Sequence, residues 1–355
     1  MAHSVKGHGA LSNPPGRFNR ERIEPIDDGW YTDEEGPGIP TTIEPDRARS
    51  IITTNDSPDI PFEYSINPYR GCENGCSYCY ARPSHAYLGL SPGLDFETRL
   101  FYKPDAAKLL EAELARPGYV CKPIALGTNT DPYQPIERRL GVTRSILEML
   151  VRCRHPVTIV TKAALVVRDL DLLADLARDG LVTVGVSVTT LDAELKRALE
   201  PRAASPQARL RAIRALSGAG VPTGVMVAPV IPALTDHEME AILDAAVGAG
   251  AQWAAYVVLR LPYEVKDLFR EWLAQHYPDR ARHVMSIVQA MRGGRDNDPR
   301  FGSRMRGTGP FAQLLEARFQ HACRRLGLDR ARRVPLTTSH FRAPCPPSVQ
   351  LALDL

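Results

Sequence analysis

Asn67-Pro68-Tyr69-Arg70-Gly71-Cys72-Glu73-Asn74-Gly75-Cys76-Ser77-Tyr78-Cys79 carries three cysteines, the first pair separated by three residues and the second by two. Thiols so close on one short loop can reach a common metal centre. A closed zinc site takes four protein ligands, commonly as two Cys-x-x-Cys halves. Here Cys121, Cys153, Cys323 and Cys345 stand singly, so zinc would need His85 as its fourth ligand. A cubane iron–sulfur cluster normally takes four thiolates. Held by three, it keeps one iron open to an outside ligand, and an open position on a redox centre is a place for chemistry.

Outward from this loop the chain alternates short β-branched runs with helical stretches. Strands are expected at Tyr64–Asn67, Pro123–Gly127, Val157–Thr161, Val182–Val188, Thr223–Val227 and Trp253–Leu259. Helices are expected near 105–115, 141–152, 168–178, 205–218 and 235–248. Strand-then-helix repetition with short loops implies a parallel sheet with right-handed crossovers, an α/β fold. The cysteine loop follows the first strand, at the carboxyl end where such folds build their sites.

The spacing Cys72-x-x-x-Cys76-x-Tyr78-Cys79, with an aromatic before the third cysteine and Gly71 and Gly75 around it, resembles the signature of radical S-adenosylmethionine (SAM) enzymes. The resemblance covers roughly residues 60–300 and implies a partial (β/α)6 barrel. It also implies a 4Fe–4S cluster on Cys72, Cys76 and Cys79, with SAM bound through its amino and carboxylate groups at the open iron. In that family one electron from the cluster cleaves SAM to methionine and a 5′-deoxyadenosyl radical, which takes hydrogen from a substrate. A reducing electron donor follows as a partner.

Other strand ends then face SAM. By resemblance, the main chain at Tyr78 and Tyr80 meets the adenine edge and Lys162 meets the SAM carboxylate, with a lysine exposed at a strand's end as the alternative. Thr128 and Asn129, with Thr130, offer donors and acceptors to the methionine half, although the same stretch also reads as turn chemistry. Ser187, Thr189 and Thr190 suit the ribose, and β-propensity explains them equally. Asp131 and Tyr133 are candidates for substrate contact. Tyr133 is the candidate catalytic residue, returning a hydrogen atom to a substrate radical; a buried tyrosine with a hydrogen-bonded hydroxyl is the alternative. In Glu200-Pro201-Arg202, the arginine is either a carboxylate clamp or a surface ion pair.

Within the family, the continuation Tyr78-Cys79-Tyr80-Ala81-Arg82, the Thr161-Lys162 strand end and the chain length most resemble the branch containing spore photoproduct lyase, a DNA-repair enzyme that splits a thymine dimer. Those lyases carry a hydrogen-donating cysteine at the end of the second strand, where this chain has Gly127-Thr128. Cys121 lies at the start of that strand, about 20 Å away on extended geometry. The expectation is a relative of the lyases with a substrate of its own.

Composition and charge frame the remainder. The chain has 355 residues, 44% of them hydrophobic, and a net charge of +3. Mean hydropathy is −0.23. No run approaches a membrane span, the first residues lack the apolar stretch expected of a secretory leader, and clustered cysteines argue for ligation over disulfides; a reducing cytoplasm is expected. Residues 1–60 read as a Pro-rich arm whose segment 24–47 holds eight carboxylates against Arg47. That acidic arm is a candidate lid over the basic region. Residues 61–300 read as the barrel and 301–343 as a basic, Arg-rich helical extension. Segment 280–342 holds fourteen Arg and no Lys against four acids, a footprint for nucleic acid or a solvated helical face. Residues 344–355 read as a tail ending in Gln350-Leu-Ala-Leu-Asp-Leu355, similar to the peptide by which bacterial DNA-repair proteins dock on the sliding clamp. A radical SAM enzyme acting on nucleic acid is the leading reading. The alternatives are a peptide- or small-molecule-modifying radical SAM enzyme, and a non-catalytic binding protein with a structural metal.

Overall fold

Residues 7–19, 39–328 and 335–344 are described by the computed structural model. The strands are β1 (Thr42–Pro45), β2 (Ile52–Thr54), β3 (Tyr64–Ile66), β4 (Tyr69–Arg70), β5 (Arg99–Tyr102), β6 (Ile124–Leu126), β7 (Val157–Thr161), β8 (Val182–Ser187), β9 (Thr223–Val230) and β10 (Trp253–Val258). Among the described residues they form two sheets, a seven-stranded one in the order β10-β9-β8-β7-β6-β3-β2 and a three-stranded one in the order β1-β5-β4. In the larger sheet β3 and β6 to β10 run parallel, and β2 closes one edge antiparallel to β3. Between consecutive parallel strands run the helices Ala106–Leu114, Val142–Arg152, Leu170–Arg178, Pro206–Gly218 and Met239–Gly248. The sheet is open, with β10 and β2 as its edges.

Physical chemistry explains the pattern. Every residue of β8 is buried, because parallel strands covered on both faces read as continuous apolar runs. Helix Val142–Arg152 buries Ile146, Leu147 and Leu150 and leaves Glu148 in water, one stripe inward and one outward. The six expected strands and five expected helices occur where the alternation put them.

Much of the first 60 residues is anchored. β1 pairs in parallel with β5, Asp46 takes ion pairs from Arg70 and Lys103, and β2 extends the main sheet. Residues 7–19 form a strap over the cysteine loop. The acidic run Glu24 to Glu35 lies outside the described residues, as do Cys345 and the peptide Gln350–Leu355. At the other end, helix Gly309–Leu326 packs Phe319 on Tyr256. Much of the arginine stripe is spent on the fold: Arg318 pairs with Glu240, Arg325 with Asp244, Arg306 with Glu316 and Arg300 with Asp298. No described helix is long and apolar enough to cross a membrane.

Candidate functional site

The cysteine loop leaves β4 beside the carboxyl ends of the parallel strands, and it is pinned from four directions. The Cys72 N–H donates to the Phe96 carbonyl at 2.8 Å. The Glu73 N–H donates to Gln134 Oε1 at 2.9 Å, while Gln134 Nε2 donates to the Gly71 carbonyl at 3.2 Å. Asn74 Nδ2 donates to Asp131 Oδ2 at 3.0 Å. The Ser77 N–H donates to the Leu199 carbonyl at 2.9 Å. Cys72 and Cys76 are buried, Cys79 half-buried, and all three are free thiols. Burial pushes each thiol pKa up, so the thiolates need a strongly positive partner before they form.

Arg82 is the clamp on the far side. Its guanidinium is fully buried and donates to the Cys76 carbonyl through Nε (3.0 Å) and Nη2 (2.8 Å), and to the Gly93 carbonyl through Nη1 (2.8 Å). Nη2 also pairs with Glu97, itself fully buried. Glu97 in turn receives the strap: the Gly9 N–H at 3.1 Å, the Ala10 N–H at 2.8 Å and His8 Nδ1 at 3.2 Å. Gly9 is required there, because a Cβ would sit 1.7 Å from the Gly75 carbonyl oxygen. Burial alone would raise the Glu97 pKa; the Arg82 charge and these donors hold it below the usual carboxylate range.

A second buried carboxylate organises the wall facing Cys76. Glu200 accepts from Tyr78 OH, from Thr189 Oγ1 at 2.7 Å and from Arg209 Nη2, and Lys162 Nζ stands 3.3 Å away. Lys162 Nζ also donates to the Ala228 carbonyl at 3.0 Å. Arg209 Nη1 donates to the Ser187 carbonyl at 3.0 Å. Burial pushes the Glu200 pKa up, but the Arg209 and Lys162 charges overcome it and keep the carboxylate ionised.

The structure therefore brings Tyr78, Lys162 and Thr189 together around Glu200, with Ser187 buried at the end of β8. Tyr80 is 46% exposed and donates its hydroxyl to the Thr128 carbonyl. Thr128 Oγ1 and the Asn129 N–H both turn to Asn67 Oδ1, at 3.4 and 3.1 Å, which ties this stretch to the segment just after β3. Thr190 turns to Glu238.

Four of the residues singled out above have other partners in the fold. Asp131 is a bracket: besides Asn74 it accepts from the Tyr133 N–H, Thr161 Oγ1 and the Lys162 N–H, which leaves little of it for a substrate. Tyr133 lies in the apolar core, 1% exposed under the Arg168 guanidinium, because the turn at Asp131 folds its ring inward. His85 gives Nε2–H to the Arg99 carbonyl at 2.9 Å and packs edge-on against Phe96, which makes it a core histidine. Arg202 is neither clamp nor surface pair: it donates to the Gly7 carbonyl (3.0 Å) and His8 Nε2 (2.9 Å) and so ties down the strap.

Sequence reasoning missed Glu97, Glu200, Arg209 and Gln134. Only Arg82 carried a signal, as the residue that ends the Tyr78–Arg82 continuation.

The residues present fit an iron–sulfur cluster: three unpaired soft donors on one braced loop, with the buried Ser77 hydroxyl lacking a partner beside them. Among the described residues no three His, Cys, Asp or Glu side chains form a group for a single metal ion; a cubane asks instead for one thiolate per iron. A depression of about 440 Å3 lined by Arg154, Asp179 and residues 339–342 lies at the strand starts, away from the cysteines.

Comparison with known proteins agrees with this geometry. The family model for the radical SAM superfamily matches residues 66–246. An uncharacterized protein of Mycobacterium tuberculosis is 42% identical over 222 residues, 62% of this chain and 65% of that protein. An uncharacterized protein of Methanocaldococcus jannaschii is 28% identical over 218 residues, 61% of this chain and 77% of that protein. The chain thus spans 65% of the length of the mycobacterial relative. Among solved structures, spore photoproduct lyase complexed with dinucleoside spore photoproduct matches with a TM-score of 0.59 at 18% identity, over 80% of this chain and 79% of that one. A mutant of that lyase with bound AdoMet and dinucleoside spore photoproduct matches with a TM-score of 0.58 at 17% identity, over 80% and 78%. At such identity the likeness is one of fold.

Proposed function

From the premise that this chain belongs to the radical SAM superfamily, whose model spans just over half of it, we propose that it cleaves SAM reductively and uses the resulting radical on a nucleic-acid substrate. The observation that carries the chemistry is the set of three free thiols on a loop braced by Arg82, Gln134, Asp131 and Leu199 at the carboxyl end of a parallel sheet. Cys72, Cys76 and Cys79 would hold a 4Fe–4S cluster, which supplies the one electron that breaks a carbon–sulfur bond of SAM. Around it, Lys162 offers a cation and Tyr78 and Thr189 offer hydroxyls, all oriented by Glu200. Arg82 and the strap keep the loop from opening.

Nucleic acid as substrate is supported by the fold likeness to a lyase whose structures hold a dinucleoside lesion, and by the arginines of segment 280–342. A lyase reaction of the same kind is disfavoured by one local fact. Gly127 has φ +83°, and a Cβ there would lie 1.9 Å from the Val160 carbonyl oxygen, so no cysteine fits at Gly127, and Thr128 beside it supplies no thiol. Cys121, before β6, is at the wrong end of the strand.

Anaerobic reconstitution tests the reading. About four irons per chain and 5′-deoxyadenosine released from SAM on dithionite reduction, both lost in Cys76→Ala, are the expected result. Zinc in place of iron, or a loaded cluster that leaves SAM intact, overturns it.

A further inference from the structure

Arg260 directly follows β10 and the buried Leu259, and it is a cation the fold has left without its complement. Its guanidinium lies 5.3 Å from the centroid of the Tyr80 ring, and Tyr80 adjoins Cys79. Its Nε is buried without a hydrogen-bond partner, and Nη1 meets only the weak acceptor Met305 Sδ at 3.5 Å. Among the described residues no carboxylate pairs with it. Asp59, whose charge reaches it, is held by Arg304 Nε at 2.5 Å and the Gly302 N–H at 2.7 Å.

Two further guanidiniums crowd the same place. Arg292 is buried and spends its donors on the Leu259 and Ser303 carbonyls, at 2.8 and 2.9 Å. Arg304 lies 4.5 Å from the centroid of the Phe301 ring, which is 59% exposed. Burial and mutual repulsion push Arg260 and Arg292 below the ordinary arginine range. Half-buried cations short of counter-charge are costly, and an arriving anion relieves that cost. The edge from Tyr80 through Arg260 and Arg304 to Phe301 sets two guanidiniums between two exposed aromatic rings. That is the composition that stacks unpaired bases and grips their phosphates.

We propose that Arg260 binds a backbone phosphate of an unpaired nucleic-acid segment at the mouth beside Cys79, with Tyr80 and Phe301 as stacking faces for its bases. The inference rests on the nucleic-acid reading above and locates its contact. Arg260 supplies a bidentate fork, and Arg304, already held by Asp59, supplies a second positive field.

The test is fluorescence anisotropy on cluster-loaded protein with a short labelled single-stranded DNA and its methylphosphonate counterpart, at several salt concentrations. Arg260→Gln is expected to weaken binding of the native strand at least tenfold and to lower the salt slope by about one phosphate's worth. Phe301→Leu, at an exposed position that leaves folding alone, is expected to weaken it by about fivefold or more, in the range of one lost stacking partner. Wild type is expected to bind the uncharged strand far more weakly than the native one. Equal affinity of Arg260→Gln and wild type overturns the inference. So does a loss in Arg260→Gln that falls on SAM affinity and spares DNA, which would assign the anion to the SAM carboxylate. A wild-type protein that releases deoxyadenosine yet binds neither strand also overturns it, and leaves the radical chemistry standing.

Discussion

Replacing Glu97 by Gln removes one charge from a pair in which both side chains are fully buried. The shape is kept, and so is one acceptor for the strap N–H groups, but Arg82 is left as a buried cation without a counter-ion. Breaking a buried pair in this way costs about 3–5 kcal/mol. An unfolding entropy of ~2.1 cal/mol/K per residue over 355 residues gives about 0.75 kcal/mol/K, so the expected fall in Tm is about 4–7 °C. Calorimetry on anaerobic protein measures it. A second readout is iron retention against a chelator, because Arg82 is the group that caps the Cys76 carbonyl. Removing both charges, as in Arg82→Met with Glu97→Met, should cost less than Glu97→Gln alone, since no orphaned charge remains. The pH dependence has a definite sign. The Glu97 carboxyl is held below its ordinary range in the fold, so its contribution is full above the unfolded-state pKa and fades as pH falls through the folded value. The gap between wild type and Glu97→Gln therefore narrows in acid. A Tm within about 1 °C of wild type at neutral pH would refute the assignment of Arg82–Glu97 as the anchor of the loop.

Gly9→Ala drives a Cβ against the Gly75 carbonyl and should lift the strap; faster hydrogen exchange at the Cys72–Cys79 amides reads this out, and unchanged protection would contradict it. Lys162→Ala removes a charged donor that Glu200 orients, and a loss of about ten- to a hundredfold in kcat/KM for deoxyadenosine formation is expected from one charge-assisted hydrogen bond; wild-type kinetics would remove Lys162 from the SAM site. His155 is fully buried, donating through Nδ1 to the Pro156 carbonyl and accepting from Tyr119 OH at 2.8 Å, and burial lowers its pKa to about 4. The unfolded chain then binds a proton between pH ~6.5 and ~4 that the fold does not. Urea titrations should show about 3 kcal/mol lost over that window, with the loss absent from the His155→Gln curve; parallel curves would deny the shift.

The local pattern determined a good deal of this protein. Cys72, Cys76 and Cys79 announce their loop by spacing alone, because thiols three or four residues apart on one loop can converge on a single centre. The β-branched runs ending at Ile66, Leu126, Thr161 and Ser187 announce a parallel sheet, because strands buried on both faces tolerate little but apolar residues. Burial could not be read so simply where polar groups go inside. Tyr133 looks like a site residue by its neighbours and is a core residue by its surroundings. Glu200 sits in a tripeptide where Arg202 drew the attention, yet it is the carboxylate that gathers Tyr78, Thr189, Lys162 and Arg209. The braces of the cysteine loop come from far along the chain: His8 meets Glu97 across 89 positions, Gln134 meets Glu73 across 61, and Arg202 meets His8 across 194. Spacing and periodicity report what a residue does relative to its own helix, strand or turn. Which buried charge meets which is decided only when distant segments are packed against one another, since a buried ion persists only where the fold delivers its partner.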